Sequence, residues 1–434
     1  MYVKSIIILW ALVAGAAQAA PKIEHWVAAN GARVYFVAAP ELPIVDIQVA
    51  FDAGSARDGN FPGLATLTNL LLDDGAAGLN ADQIAEGLEG VGASMGASSS
   101  RDMATVSLRS LTDPAQLKPA IEIFKGVLSQ PSFPKDAFER ERKQLLVGVS
   151  ARKQSPEEIA DELFYQGLYG EHPYAHHPDG SDDSLKSLTA ENVLMHFQAY
   201  YVGKNAVIAI VGALDRAAAA DLVGQLTEGM PAGLPAPSLP EVAGLAEGKL
   251  VRQNHPSTQT HILLGQPGLS RGDPDYFPLY VGNHMLGGSG LVSRINEEIR
   301  EKRGLSYSAY SYFMPMRLPG PYILGLQTRN ESSDEALGVL KQTLGDFIAK
   351  GPTAEELKAS KQNITGGFPL RLSSNRKILD HIAMIGFYQL PLDYLDTFNA
   401  RVEAVTIEQI RAAFQQRIHP DKMVTVMVGN HGQK

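Results

Sequence analysis

Eleven histidines occur in this 434-residue chain, and the only dense group of metal-binding side chains is "EHPYAHHPDGSDD", which holds His172, His176, His177, Asp179, Asp182 and Asp183. Imidazoles and carboxylates can ligate a divalent ion. Pro173 and Pro178 exclude a regular helix here, so the spacing of His172 and His176 does not put them on one face, and no ligand set is read from the stretch. A second pair with chemical potential is Arg300 and Tyr307, seven positions apart in "REKRGLSY". Gly304 breaks a helix between them, and the chain reversal can bring a guanidinium and a phenol to one place. The same residues also read as an ordinary helix end. Arg300, Lys302 and Arg303 suit the C-terminal dipole, Glu298 and Lys302 form an i,i+4 pair, and Tyr307 could belong to a core. His284 stands alone and reads as packed or surface. "GGSG" at 287–290 lacks the frame of a phosphate loop and reads as a flexible loop. Cysteine is absent, which removes thiolate nucleophiles and thiolate zinc sites.

These residues need elements to hold them. In "GLATLTNLLLDDG", residues 63–75, Leu64, Leu67 and Leu71 recur at helical spacing and Gly75 is placed to end the helix. Just before it, "LPIVDIQVAFDAGS" alternates Val45, Ile47, Val49 and Phe51 toward one face, the pattern of a half-buried strand. Further on, "LTAENVLMHFQAYYVGKNAVIAIVG" (188–212) aligns without a gap to "VTIEQIRAAFQQRIHPDKMVTVMVG" (405–429). Thr189/Thr406, Phe197/Phe414 and Gly212/Gly429 are among the identities, and each copy reads as a capped helix followed by an apolar strand. "FPGLATLTNLL" from Phe61 and "FPLYVGNHMLG" from Phe277 stand at a similar offset, so the first helix has a twin. The chain therefore reads as an internal duplication: an α+β protein of two similar halves whose sheets must each be covered, enclosing a cavity between them. "EGMPAGLPAPSLPEVAGLAEG" carries four prolines and reads as the connection, with a first domain over 22–228, a linker over 229–248 and a second domain over 249–434.

The N-terminus places Lys4 before an apolar run that ends in "AQA", the order of a secretory leader cleaved after Ala19. The run is shorter than the roughly 20 residues of a membrane span, so export without stable membrane insertion is expected, with the periplasm as the compartment. The formal net charge of −9 is not interrupted by a basic stripe, which argues against a nucleic-acid partner.

At the level of motifs the chain resembles the pitrilysin/insulinase metallopeptidases, the family with the inverted zinc motif H-x-x-E-H. "FPGLATLTNLLLDDGAAG" is similar to the family block "GLAHFLEHMLFKGT", "LEGVGASMGASSSRD" to its glycine-rich edge strand, and "GEHPYAHHPDGSDDSLKSLT" to its "HPY…G…L…LT" stretch. The most specific likeness is "SRINEEIREKRGLSYSAYS" to "SRLFQEIREKRGLAYSVYS". The resemblance implies two α/β-roll domains, each a mixed, mostly antiparallel sheet flanked by helices, enclosing a chamber. It places the family's two histidine ligands and its catalytic glutamate at Thr66, Leu70 and Asn69, and the third ligand at Gly148, or at Val147 if the register slips by one. None of these can bind zinc or activate water. The asparagine of the edge strand falls at Gly96. Arg300 and Tyr307 match the pair that, in the family, reaches across the chamber to stabilise the oxyanion at the substrate carbonyl.

The resemblance thus implies a non-catalytic subunit that is no peptidase on its own and binds no cofactor. A homologous zinc-bearing peptidase subunit would be its partner, a peptide its substrate, and Arg300 and Tyr307 would act in trans. The alternative is a peptide-binding or structural pseudopeptidase without turnover.

Overall fold

The computed structural model describes residues 21–430, so the expected leader lies outside the described residues. The strands are β1 (Glu24–Val27), β2 (Arg33–Ala38), β3 (Ile44–Phe51), β4 (Gly75–Ala76), β5 (Leu79–Asn80), β6 (Ser94–Ser99), β7 (Ala104–Leu111), β8 (Ala206–Gly212), β9 (Lys249–Asn254), β10 (Gln259–Pro267), β11 (Ala309–Phe313), β12 (Pro321–Arg329) and β13 (Val424–Gly429). Two large sheets result, ordered β1-β2-β8-β3-β7-β6 and β9-β13-β10-β12-β11 when read in matching directions. Each contains one parallel pair, β2 with β8 and β9 with β13, and its other pairs are antiparallel. The fold is α+β, with two similar domains each built from a mixed sheet and helices.

The sequence repeat appears as the same local unit twice. Helix Ala190–Tyr200 leads into β8 and helix Ile407–Arg417 into β13. Thr189 and Thr406 each accept from the backbone N–H three residues on, while Asn192 and Gln409 reach back to the cap, closing a capping box at both helices.

The halves also exchange cover. Helix Pro156–Tyr169, from the first half, lies on β10 and β13 of the second sheet, where Phe164 and Leu168 join a core with Val424, Val426 and Val428. Helix Asn375–Tyr388, from the second half, lies on β3 and β8 of the first, packing Ile382 and Phe387 in one cluster with Tyr35, Val207 and Ala209. This corrects the reading of β3 as half-buried. Its second face, Asp46, Gln48 and Ala50, is buried as well, because a helix from the far end of the chain covers it, and Asp46 meets Arg109 in a bidentate pair at 2.7 and 3.0 Å.

Close approach at these contacts leaves no room for side chains. A Cβ on Gly386 would stand 2.6 Å from the Tyr35 ring and 2.7 Å from Val207, both buried. Gly386→Ala is therefore expected to destabilise the fold by about 1–3 kcal/mol through overpacking, read as a lower urea midpoint at unchanged slope.

A polar knot ties the halves where the apolar contacts end. The carboxylate of Asp102, buried beside β7, accepts from the hydroxyls of Tyr174 (2.5 Å) and Tyr388 (2.9 Å) and from the Arg317 backbone N–H (2.7 Å). Burial and the neighbouring Asp102 charge push both phenols above their usual range, so they stay protonated and donate. Nearby, Arg317 reaches Asp52 at 3.2 Å, and Asp52 is held bidentately by Arg57 at 2.8 and 2.9 Å.

Candidate functional site

The helix that aligns with the family's zinc motif runs from Leu64 to Leu70 and ends earlier than the sequence implied. Gly75 is no helix terminator: the chain turns after Leu70 so that Leu71 and Leu72 are both buried, and Gly75 sits in β4, where a Cβ would come 2.5 Å from Ser132 Oγ. The start of the helix is fixed from below. Buried Asp58 accepts from the N–H groups of Gly63 (2.8 Å) and Ala65 (2.7 Å) and faces His176 Nε2 at 3.2 Å. Burial raises the Asp58 carboxyl while His176 opposes it. His176 is thereby engaged with Asp58 and the Ser55 carbonyl, and His172 with the Pro240 carbonyl. The histidine-rich segment braces this helix and does not converge on an ion.

On the helix, Thr66 Oγ1 donates to the Pro178 carbonyl at 2.9 Å. Asn69 is buried, with its Nδ2 3.3 Å from the Tyr201 hydroxyl and 3.5 Å from the Thr105 carbonyl. Leu70 is partly exposed, and on the adjoining helix Lys135–Arg152 a Cβ at Gly148 would meet nothing within 4 Å, beside exposed Val147. The edge strand β6 passes the same helix, and Gly96 leaves its face open there. The side chains at these positions do not supply metal ligands. An amide and a hydroxyl already bound to protein, a leucine and a glycine do not fit zinc. Among the described residues no group of three or more His, Asp or Glu is arranged to hold a metal ion.

His196, in helix Ala190–Tyr200 packed on this helix, is buried and held down to about 4 by desolvation. Its pKa in the unfolded chain is the ordinary 6.5, so the neutral imidazole stabilises the fold fully above pH 6.5, and this contribution is lost as pH falls through about 4. The parent chain is expected to lose stability across that window more steeply than His196→Gln, by up to about 1.4 kcal/mol per pH unit, measured by urea unfolding at successive pH values.

In the second half, Arg300 lies in the wide helical turn Glu297–Glu301. Gly304, at φ +60°, ends that turn, its N–H bonding the Arg300 carbonyl at 2.9 Å. Ser306 then anchors the reversal, its Oγ 2.7 Å from the carbonyls of both Ser308 and Gln327 with its one proton shared between them. Tyr307 projects from the anchored turn and is 89% exposed, so it is not part of a core. Among the described residues the charged partner of Arg300 is Glu301, at 3.5 Å, whereas Lys302 and Arg303 are tied to Glu298 at 2.6 and 2.7 Å. No hydrogen bond joins Arg300 to Tyr307 among the described residues.

Tyr307 instead stands at the rim of a cavity of about 580 Å³ that the sequence reading did not find. Its walls are the twin helix Tyr276–Asn283, the turn that follows it, and β11. Here the "GGSG" segment is not a free loop. His284–Gly288 continues the helix as a wide turn because Gly287 comes so close to β11 that a Cβ would lie 2.3 Å from Ser311 Oγ. His284 is packed as expected, bonded to Ser360 (2.9 Å) and Asn363 (3.1 Å). The tyrosines of "LSYSAYSYF" were a visible signal for the cavity; Arg271 and Arg371 come from distant segments and were not.

Residues 33–178 match the model for Insulinase (Peptidase family M16), and residues 187–364 that for the Peptidase M16 inactive domain. The crystal structure of a peptidase M16 inactive domain from Pseudomonas fluorescens superposes with a TM-score of 0.92 at 38% identity, covering 95% of this chain and 98% of that one. The uncharacterized zinc protease YmxG of Bacillus subtilis is 23% identical over 92% of this chain and 96% of its own length. The non-peptidase homolog YmxG of Helicobacter pylori is 24% identical over 90% of each. With two matching domains in order, and a fold shared along nearly its whole length, this chain belongs to the M16 insulinase family.

Proposed function

We infer that the chain is the non-catalytic subunit of a two-chain zinc metallopeptidase, exported to the periplasm, in which a homologous subunit holds the metal. One observation carries this reading: Tyr307 is held out, 89% exposed, by an anchored turn in a chain whose own zinc positions are Thr66, Asn69, Leu70 and Gly148. A phenol presented in this way has no oxyanion to serve within its own chain. Together with Arg300, whose contact with Glu301 at 3.5 Å is a loose one, it supplies donors to a substrate carbonyl in the partner's site, and this chain completes the chamber wall. Preorganised donors of this kind stabilise the charge that develops in the transition state.

The test is copurification with the zinc-bearing homologue encoded nearest to this gene, followed by peptide hydrolysis with each chain alone and with the pair. Turnover is expected from the pair and not from this chain alone. Failure of the two to associate at micromolar concentration contradicts the reading. The second reading, a peptide-binding pseudopeptidase, is favoured by the aromatic cavity of about 580 Å³, and it predicts peptide binding with no partner and no turnover.

A further inference from the structure

The cavity beside β11 differs in charge from the chain as a whole. The whole chain carries a formal net charge of −9, yet the residues lining this cavity include Arg271 and Arg371 and no aspartate or glutamate. Neither arginine meets a carboxylate among the described residues. Arg371 donates to the Tyr280 hydroxyl at 3.0 Å, and Arg271 stands over the Tyr388 ring at 5.3 Å with its buried Nε lacking any hydrogen-bond partner. The nearest acidic loop is already committed, since Asp273 and Asp275 are both bound by Arg417. Both arginines line the one cavity, Arg271 from the segment before helix Tyr276–Asn283 and Arg371 from the turn before helix Asn375–Tyr388. Tyr276 and Tyr280 form a flat stacked wall, ring centroids 5.6 Å apart and planes 7° from parallel.

Two carbonyls of this edge strand are already engaged. The outward carbonyls of Ala309 and Ser311 are taken by Asn296 (2.7 Å) and Asn283 (2.8 Å). The side chains offer aromatic faces for apolar groups and guanidinium forks for an anion of carboxylate geometry.

We propose that this cavity binds a carboxylate-bearing end of a short peptide, with Arg271 and Arg371 taking the carboxylate and the tyrosine wall taking the flanking apolar side chain. The carboxylate can be the chain terminus or an acidic side chain. The site belongs to this chain alone and needs neither a partner nor zinc, so its failure would leave the proposed action in trans standing, and the reverse holds too.

The test uses the full-length chain without its expected leader and three pentapeptides, N-terminally labelled with an uncharged BODIPY dye, of sequence Ala-Leu-Tyr-Ala-Phe or its variant: one with a free C-terminus, one amidated, and one amidated with glutamate in place of the fourth residue. Anisotropy titration is expected to show the free acid, the glutamate peptide or both binding at least tenfold more tightly than the plain amide. Free-acid binding alone assigns the site to a chain end, and glutamate binding assigns it to an acidic side chain. Arg371→Gln and Arg271→Gln should each remove about tenfold or more of that preference, as expected for charge-assisted bonds. Raising NaCl from about 50 to about 500 mM should weaken the acids and leave the amide unchanged. The proposal is overturned if acids and amide bind equally, if both variants keep the preference while retaining the parent circular dichroism, or if no peptide saturates by about 1 mM.

Discussion

Tyr307→Phe, introduced into the reconstituted two-chain peptidase, is expected to lower kcat/KM about 100-fold, and Arg300→Ala by a similar factor, with association and zinc content unchanged. The magnitude is that of removing one oxyanion donor from a preorganised site. The structure gives reasons to expect little collateral damage. The Tyr307 ring is 89% exposed, so loss of its hydroxyl touches no core. Arg300 pairs with Glu301 at 3.5 Å, an exposed pair of small worth. An effect on kcat/KM without an effect on stability therefore separates a catalytic role from a helix-end role. Lys302→Ala, which breaks contacts to Glu297 and Glu298 at 3.0 and 2.6 Å in the same turn, is the matched control and should leave turnover intact.

The largest stability effect is expected at the polar knot. Asp102→Ala removes the acceptor shared by two tyrosines and a backbone N–H from different parts of the chain. Two phenols and an amide are then left buried without an acceptor, and the expected loss is about 3 kcal/mol or more. Tyr388→Phe deletes one donor only and should cost about 1 kcal/mol. Urea unfolding of the three proteins checks the ordering. Equal, small losses in both variants would show that the knot is wet and contributes little to holding the halves together.

What the sequence revealed, and what it concealed, follows from the range of the interactions involved. The repeated helix and strand units were legible because their caps, Thr189 with Asn192 and Thr406 with Gln409, are local and repeat in sequence. Thr66, Asn69 and Leu70 were named through the resemblance to the family's zinc motif, whose positions share one helix face; their own composition and spacing read only as an ordinary amphipathic helix. The burial of Asp46 and Gln48 was not, because the covering helix Asn375–Tyr388 arrives from the other half. Nor was the helical state of "GGSG", where Gly287 is needed for its close approach to Ser311 rather than for flexibility. The Arg271 and Arg371 cavity escaped altogether, since its arginines meet only through tertiary packing.

Zinc counted by plasma mass spectrometry, in this chain purified alone and in the reconstituted pair after dialysis against equal zinc, bears most directly on whether catalytic metal has been handed to another subunit. The account predicts a negligible amount in the lone chain and about one ion per pair, as for a single catalytic zinc site. One tightly held ion per lone chain, released by substituting Thr66 and Asn69 with alanine, would contradict it.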